Sequence, residues 1–573
     1  MDRRPSPWLP ASVVALRHYD LPTFRADAIA GVTVGLVALP LAMAFAIASG
    51  LTPQAGIYCA VVTGFLISAF GGSRVQIGGP TGAFVVVVAG IVAKYGVSGL
   101  YVCTMMAGVI LVLFGATRSG SAVRFIPRPV VLGFTNGIAV LIASTQIRDF
   151  LGLRMTENPG EFAARLAAIG RHLGTIEPAA AGLAVLTLVL VVSTNRIVEA
   201  VPGTIVGLVG GTAVAWLGHL SIDTVGSRFG GVPAGLPAFQ MPAFDPSLML
   251  TLLPPALTVA MLGAIESLMS AVVADRMSGD RHNSNVELIG QGIANILSPM
   301  FGGLPATGAI ARTATNIRSG ARTPVAGMIH ALTLLAILLI GAPLAGHVPM
   351  AVLAAILFIV AANMGEWREV PLLLRQTKTD VGVWAVTFAL TVFADLTVAV
   401  EVGMILAALL YIRRVSGTTT VSRVTSSYVD EGRVHVLQDK HIPEFVTIFR
   451  IHGPFLFGAT DKLQRVVDTI DELTPVVIFR LRNMTAIDAT GLAALEDVAR
   501  RLRESGRTAI FCGAREQPRA VMTQAGFPQL VGADNVCPNI EAALRRAHTV
   551  SRNDHRSKAG RTHAPALSVT EVR

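Results

Sequence analysis

Glu266 is the residue placed by type and setting to do chemistry. It sits in LTVAMLGAIESLMSAVVADRM, Leu257 to Met277, with no other charge for about two turns on either side. An ionised carboxylate in an apolar helix is costly unless a proton or a cation neutralises it, so Glu266 is a candidate coupling group. Ser270, one turn later at i+4, lies on the same helical face and can share a ligand or a water with it. Arg312 offers a fixed positive charge whose paired donors suit an anion. Two plainer readings stand beside these: Glu266 forms a structural pair with Arg312, or Arg312 only snorkels to the membrane surface.

The elements that must position these groups are two glycine-proline interruptions. One is FGGLPATGAIARTATNIRSGARTP, Phe301 to Pro324; the other is IGGPTGAF, Ile77 to Phe84. Each reads as a broken membrane helix that restarts at Thr-Gly-Ala. Backbone amides at a helix start are unpaired donors, and the helix dipole adds positive potential there. Two half-helices beginning at Thr81 and Thr307 would face each other across one pocket suited to a small anion, lined by Thr81, Gly82, Ala83, Phe84, Thr307, Gly308, Ala309 and Arg312. Phe45 can close a wall of that pocket or simply pack, and the interruptions can equally be kinks in ordinary spans.

Composition sets the class. The chain has 573 residues, 52% of them hydrophobic and only 14% charged, far from a soluble average. The runs between Asp27 and Arg74, Glu287 and Arg312, and Arg322 and Glu366 carry no Asp, Glu, Lys or Arg. Each is longer than one span of ~20 residues needs. The protein is therefore read as an α-helical polytopic membrane protein without a cleavable signal peptide. The net charge of +10 does not point to nucleic acid, because the arginines are spread through short loops. Cys59, Cys103, Cys512 and Cys537 show neither disulfide nor metal-ligand spacing. No phosphate-binding Gly-x-x-x-x-Gly-Lys-Ser/Thr loop occurs, which argues against an ATP-driven pump; no metal or cofactor is implied.

Spans are expected near 28–48, 54–72, 81–93, 99–117, 129–146, 178–194 and 202–218, then near 248–273, 286–301, 306–317, 323–342, 348–363, 381–394 and 397–412. With the N-terminus inside, Arg74, Arg118, Arg124, Arg196, Arg276, Arg281, Arg318, Arg322, Arg368, Arg375 and Lys378 fall on the cytoplasmic side, so both termini are expected there. The two sets repeat in order: Thr81 stands 40 residues after Leu41, and Thr307 stands 41 after Glu266. Two halves with an odd number of spans must be inverted, as in secondary transporters. Asp395 and Glu401, near the last hairpin, are read as structural acids.

The expected division is a cytoplasmic segment 1–27, a transporter domain 28–413, a linker 414–435, a small α/β domain 436–549 and a disordered basic tail 550–573. Strands are expected at Val446–Gly453, Val476–Leu481 and Thr508–Gly513, with amphipathic helices between them. In this domain Asp488-Ala489-Thr490-Gly491 lies between a strand and a helix. It is a regulatory or docking loop, or simply a helix cap made by Asp488 or Thr490.

Taken together, VALPLAMAFAIASGLTPQAGIY (Val37 to Tyr58), IGGPTGAF, FIPRPVVLGFTNG (Phe125 to Gly137), the Glu266 helix and GGLPATGAIARTATNIRSGARTP resemble the SulP family of sulfate permeases and related anion transporters, solute carrier family 26. The C-terminal domain resembles a STAS domain. The resemblance implies about 14 transmembrane segments in a 7+7 inverted repeat, with a core, a gate, an elevator-like movement and a homodimer. It implies an anion site between the third and tenth segments, here Thr81 to Phe84 and Thr307 to Arg312, with Phe45 alongside. Leu41 stands where many members have glutamine, which removes one polar contact. Glu266 stands where sodium-coupled bicarbonate members have aspartate, which favours protons over sodium. Ala489 stands where phosphorylatable relatives have serine, which leaves the loop a binding or regulatory role.

The expectation is thus a non-enzymatic, proton-coupled anion transporter of the inner (plasma) membrane, with sulfate, bicarbonate and dicarboxylates equally open as substrates and a cytoplasmic regulator on the STAS domain. Its rivals are an uncoupled channel or exchanger on the same scaffold and a membrane-anchored STAS signalling protein. A nucleobase permease is disfavoured by Arg312 and by the STAS domain.

Overall fold

The computed structural model describes residues 8–120, 127–155, 159, 161–197, 202–231, 235–242, 246–394, 396–424, 442–463 and 470–561. The chain divides into two units, Met1–Ala407 and Ala408–Arg573.

After the short α1 (Ala11–Ala15), the first unit runs α2 (Leu21–Ala48), α3 (Pro53–Phe70), α4 (Gly82–Ala116), α5 (Arg128–Leu151), α6 (Phe162–His172), α7 (Pro178–Ile197), α8 (Gly203–Leu217) and α9 (Val225–Phe229). Its second half runs α10 (Pro246–Ser278), α11 (Ser284–Leu297), α12 (Ile310–Arg318), α13 (Val325–Ala345), α14 (Met350–Met364), α15 (Val370–Leu374), α16 (Lys378–Phe393) and α17 (Leu396–Thr418). By length and hydropathy α2, α3, α4, α5, α7, α13 and Leu248–Ser278 of α10 can each cross a bilayer. At 35 residues α4 exceeds one span, and it breaks at Gly96, whose φ of 70° a glycine adopts without penalty. Its two pieces are the expected third and fourth spans.

The repeat is visible in the packing. In chain order α2, α3, the two pieces of α4, α5, α7 and α8 correspond to α10, α11, α12, α13, α14, α16 and α17. The later piece of α4 packs on α10 and α11, and its counterpart α13 packs on α2 and α3. Likewise α5 packs on α16, as α14 packs on α7. Two groups result: α2, α3, α4 and α10 to α13 in one, and α5, α7, α8, α14 and α16 in the other. The strongest packing between the groups, α4 on α5 and α14 on α2, is slight beside the packing inside either group, such as α11 on α4 or α16 on α5, so the interface between groups is thin.

Some sequence boundaries are corrected. α2 begins at Leu21, where Asp20 caps it through the Thr23 amide and Pro22 sits in the first turn. Asp27, expected to end the cytoplasmic segment, is fully buried inside this helix. Its carboxylate accepts from Thr323 Oγ1 at 2.5 Å, Arg322 N at 2.7 Å and Thr323 N at 3.1 Å, which fixes the turn between α12 and α13. The amphipathic α6 lies in what was expected to be loop.

The decisive local feature is the meeting of the two glycine phrases. β1 (Gly78–Gly79) pairs antiparallel with β2 (Thr307–Gly308), Gly78 opposite Gly308 and Gly79 opposite Thr307, and Ala309 N donates to Ile77 O at 2.8 Å. Non-helical backbone at membrane depth needs such partners. α12 therefore starts at Ile310, with Ala309 as its cap residue, rather than at Thr307. The structural counterpart of Thr81, the cap residue of α4, is Ala309, two residues past the match suggested by Thr-Gly-Ala.

The second unit carries a five-stranded sheet in the order β3 (Thr420–Arg423), β4 (Val446–Phe455), β5 (Val476–Ile487), β6 (Thr508–Cys512) and β7 (Val536–Cys537). β3 is antiparallel to β4 and the other pairs are parallel. The three expected strands are present, while β3 lies inside the expected linker. Phe449, Phe479 and Phe511 stack across neighbouring strands, and Phe527 meets Phe511 edge-on. The last helix, Ile540–Arg561, continues past the point where a disordered tail was expected.

Candidate functional site

A cavity of about 390 Å³ opens between the two helix groups. α2 gives it Leu41 and Phe45, α4 gives Thr81 and Gly82, α10 gives Glu266 and Met269, and the start of α12 gives Gly308, Ala309, Ile310 and Arg312. The opposite wall is Val130, Phe134 and Thr135 of α5, with Asn363, Met364 and Glu366 at the end of α14. The space is large enough for a small oxyanion.

Thr81 Oγ1 donates to Glu266 Oε2 at 2.9 Å, tying the acid of α10 to the first turn of α4. Arg312 is buried, its Nη2 donates to Pro80 O, and its Nη1 has no hydrogen-bond partner. A buried guanidinium N–H without an acceptor calls for one, and an oxyanion supplies it. Glu266 and Arg312 line the same cavity, but among the described residues Glu266 bonds Thr81 and makes no ion pair with Arg312, so the plainer reading of a direct structural pair is not met. Nor does Arg312 snorkel outward, being only 3% exposed.

Gly79 has to be glycine. Its φ is +149°, and a Cβ there would stand 2.6 Å from Arg312 Nη1. The loop behind the cavity is held by α10: Ser267 Oγ lies 2.8 Å from Thr307 Oγ1 and accepts from Gly308 N at 3.1 Å, while Thr307 Oγ1 donates to Gly263 O at 3.0 Å.

Of the residues expected at the site, Phe45, Thr81, Gly82, Gly308, Ala309, Arg312 and Glu266 line the cavity. Ala83, Phe84 and Thr307 are buried behind it. Ser270 is buried too, outside the cavity lining, and its hydroxyl bonds Thr313 Oγ1 at 3.1 Å, so it clamps α10 to α12. Sequence reasoning missed Ser267, next to Glu266, and Glu366, which appeared only as the end of a charge-free run. Asp395 lies outside the described residues, and Glu401 lies on α17. In the second unit Asp488 is a helix cap: it accepts from Gly491 N at 2.7 Å and from Phe457 N at 3.0 Å, with Thr490 exposed beside it.

Paired half-helix starts, a buried arginine and a cavity between the two helix groups of an inverted-repeat fold define a multi-pass membrane transporter for anions. The chain belongs to the sulfate permease family, whose model matches residues 24–387, and a STAS domain matches residues 437–543. It is 42% identical to a sulfate transporter candidate, YvdB of Bacillus subtilis (strain 168), over 90% of this chain and 96% of that one. It is 31% identical to the bicarbonate transporter BicA of Picosynechococcus sp., over 91% and 94% of the two chains. Among solved structures it resembles murine Slc26a9, an anion transporter, with a TM-score of 0.84 at 18% identity over 95% of this chain and 94% of that one. The transmembrane domain of a cyanobacterial BicA aligns with a TM-score of 0.60 at 34% identity, over 68% of this chain and 98% of that one.

Proposed function

We propose that the chain is a secondary active carrier of a small oxyanion, driven by protons and moved by the sliding of the α2–α4 and α10–α13 group against the other. The observation that carries this reading is the 2.9 Å hydrogen bond from Thr81 Oγ1 to Glu266 Oε2 in the cavity that Arg312 lines. The acid, the fixed cation and the helix starts share one space, so an anion and an ionised Glu266 compete electrostatically for it. Protonating Glu266 removes that conflict and leaves Arg312 and the first-turn amides for the anion. Gly82, Gly308 and Ala309 give the anion close approach to backbone, and Phe45 walls it. Sulfate, bicarbonate and dicarboxylates share the carboxylate-like oxygens that such donors hold; the names of YvdB and BicA fit the first two.

The assignment extends to an inner-membrane homodimer with both termini cytoplasmic and a regulator docking near Asp488 and Thr490. The bond to Thr81 also suits a structural Glu266 in an uncoupled exchanger. Purified protein in liposomes separates the two: an inward proton gradient should drive the oxyanion above its equilibrium level, whereas an exchanger brings it only to equilibrium.

A further inference from the structure

The cavity wall on the α14 side ends in a carboxylate. Glu366 lines the cavity and is itself exposed, so it stands where the cavity meets solvent. Its place is fixed by what surrounds it. Asn136 Nδ2 of α5 donates to Gly365 O, and Trp384 Nε1 of α16 donates to Asn136 Oδ1 at 2.9 Å. A Cβ on Gly365 would fall 2.4 Å from the Trp367 ring. Glu366 then takes φ 44°, a conformation a glutamate adopts only at a cost. The nearby cation, Arg128 at the start of α5, is paired with Glu369 at 2.7 Å. Arg128, Glu366 and Glu369 together leave one negative charge at the mouth, the same sign as the ion the cavity would attract.

We propose that Glu366 is a specificity-determining residue whose negative charge at the mouth of the cavity disfavours dianions relative to monoanions. This rests on the reading of the cavity as the oxyanion site. The repulsion from one fixed charge is proportional to the charge of the ion, so in free energy a dianion suffers twice what a monoanion does. In affinity the factor for the dianion is the square of the factor for the monoanion. The twofold ratio of the two free energies holds at any local dielectric. Salt screens an exposed charge, so the effect shrinks as ionic strength rises.

The test measures uptake constants in proteoliposomes at about pH 8, where an ordinary carboxylate is ionised, with sulfate as the dianion and bicarbonate as the monoanion competing for uptake. E366Q should lower the constant about threefold for bicarbonate and about tenfold for sulfate at low salt, E366K should go further, and E366D should behave as wild type. If only one of the two anions competes, its own constant should still fall in E366Q and fall further in E366K. Unchanged constants, or equal changes for both anions, overturn the proposal. R312Q separates this from the underlying reading: loss of uptake there with no effect at Glu366 sinks only the charge filter, whereas wild-type uptake in R312Q sinks the cavity as the oxyanion site.

Discussion

Thr81 Oγ1 and Glu266 Oε2 lie 2.9 Å apart although their residues are 185 positions apart in sequence. One belongs to the first turn of a half-helix in the first repeat, the other to the leading helix of the second. Thr81 thus orients a carboxylate across the symmetry of the fold, and Thr81→Val, which keeps shape and loses the hydroxyl, isolates that role. A hydrogen bond to a charged group contributes about 1.5–3 kcal/mol. Proton-driven uptake should drop roughly tenfold or more in this variant, while Thr81→Ser should recover most of it; equal uptake in both variants would remove Thr81 from the mechanism.

Gly79 should tolerate no side chain, because a Cβ there meets the Arg312 guanidinium and the backbone φ is +149°. Gly79→Ala is expected to reduce anion uptake by at least about tenfold, the effect of a lost interaction of ~1.4 kcal/mol. Gly90→Ala is the control: nothing stands within 4 Å of its added Cβ, and alanine favours a helix by about 1 kcal/mol. Uptake and thermal stability of Gly90→Ala should match or exceed wild type.

Much of this arrangement was legible in the sequence, for identifiable reasons. Charge-free runs and odd span counts gave the inverted repeat, because the bilayer forces helices of known length. Glu266 and Arg312 stood out because ionisable residues in such helices are rare. What failed was register and partner choice. Aligning Thr-Gly-Ala with Thr-Gly-Ala set Thr81 level with Thr307, whereas α12 starts after Ala309 as α4 starts after Thr81, which makes Ala309 its counterpart as a cap. Strands two residues long have no period to read. The i+4 rule likewise put Ser270 on the face of Glu266, but packing against α12 gave its hydroxyl to Thr313 and left Ser267 to hold the loop.

Ser267→Ala should expose that difference. It orphans the buried Gly308 amide, at a cost of about 1–3 kcal/mol. The purified variant should lose thermal stability and uptake together. Ser267→Thr, which keeps the hydroxyl, should lose less of both.

In the second unit, Asp488→Ala removes the acceptor for both Gly491 N and Phe457 N. Loss of a helix cap costs about 0.5–2 kcal/mol. Amide hydrogen exchange of the full chain should quicken at Phe457 and Gly491 and at the start of helix Ala489–Glu504, and Asp488→Asn should lie between; unaltered exchange would contradict the capping role.

Burial pushes the Cys512 thiol up to about 12 from an ordinary value of 9.0, with Cys537 adding and Arg480 opposing. The neutral thiol is therefore favoured in the folded domain. Its contribution to stability is full below about pH 9 and is lost as pH rises toward about 12. Peptide-level alkylation at pH 8 should find Cys512 carrying roughly a thousandfold less thiolate than after unfolding in urea; comparable labelling in both states would place the residue outside the sheet core.

The central claim is that Glu266 carries the proton that drives the anion. Wild-type protein in liposomes, given an inward proton gradient and no anion gradient, should accumulate labelled oxyanion, and Glu266→Gln should abolish accumulation while still passing anion down its own gradient. Equal gradient-driven accumulation by wild type and Glu266→Gln would contradict the account.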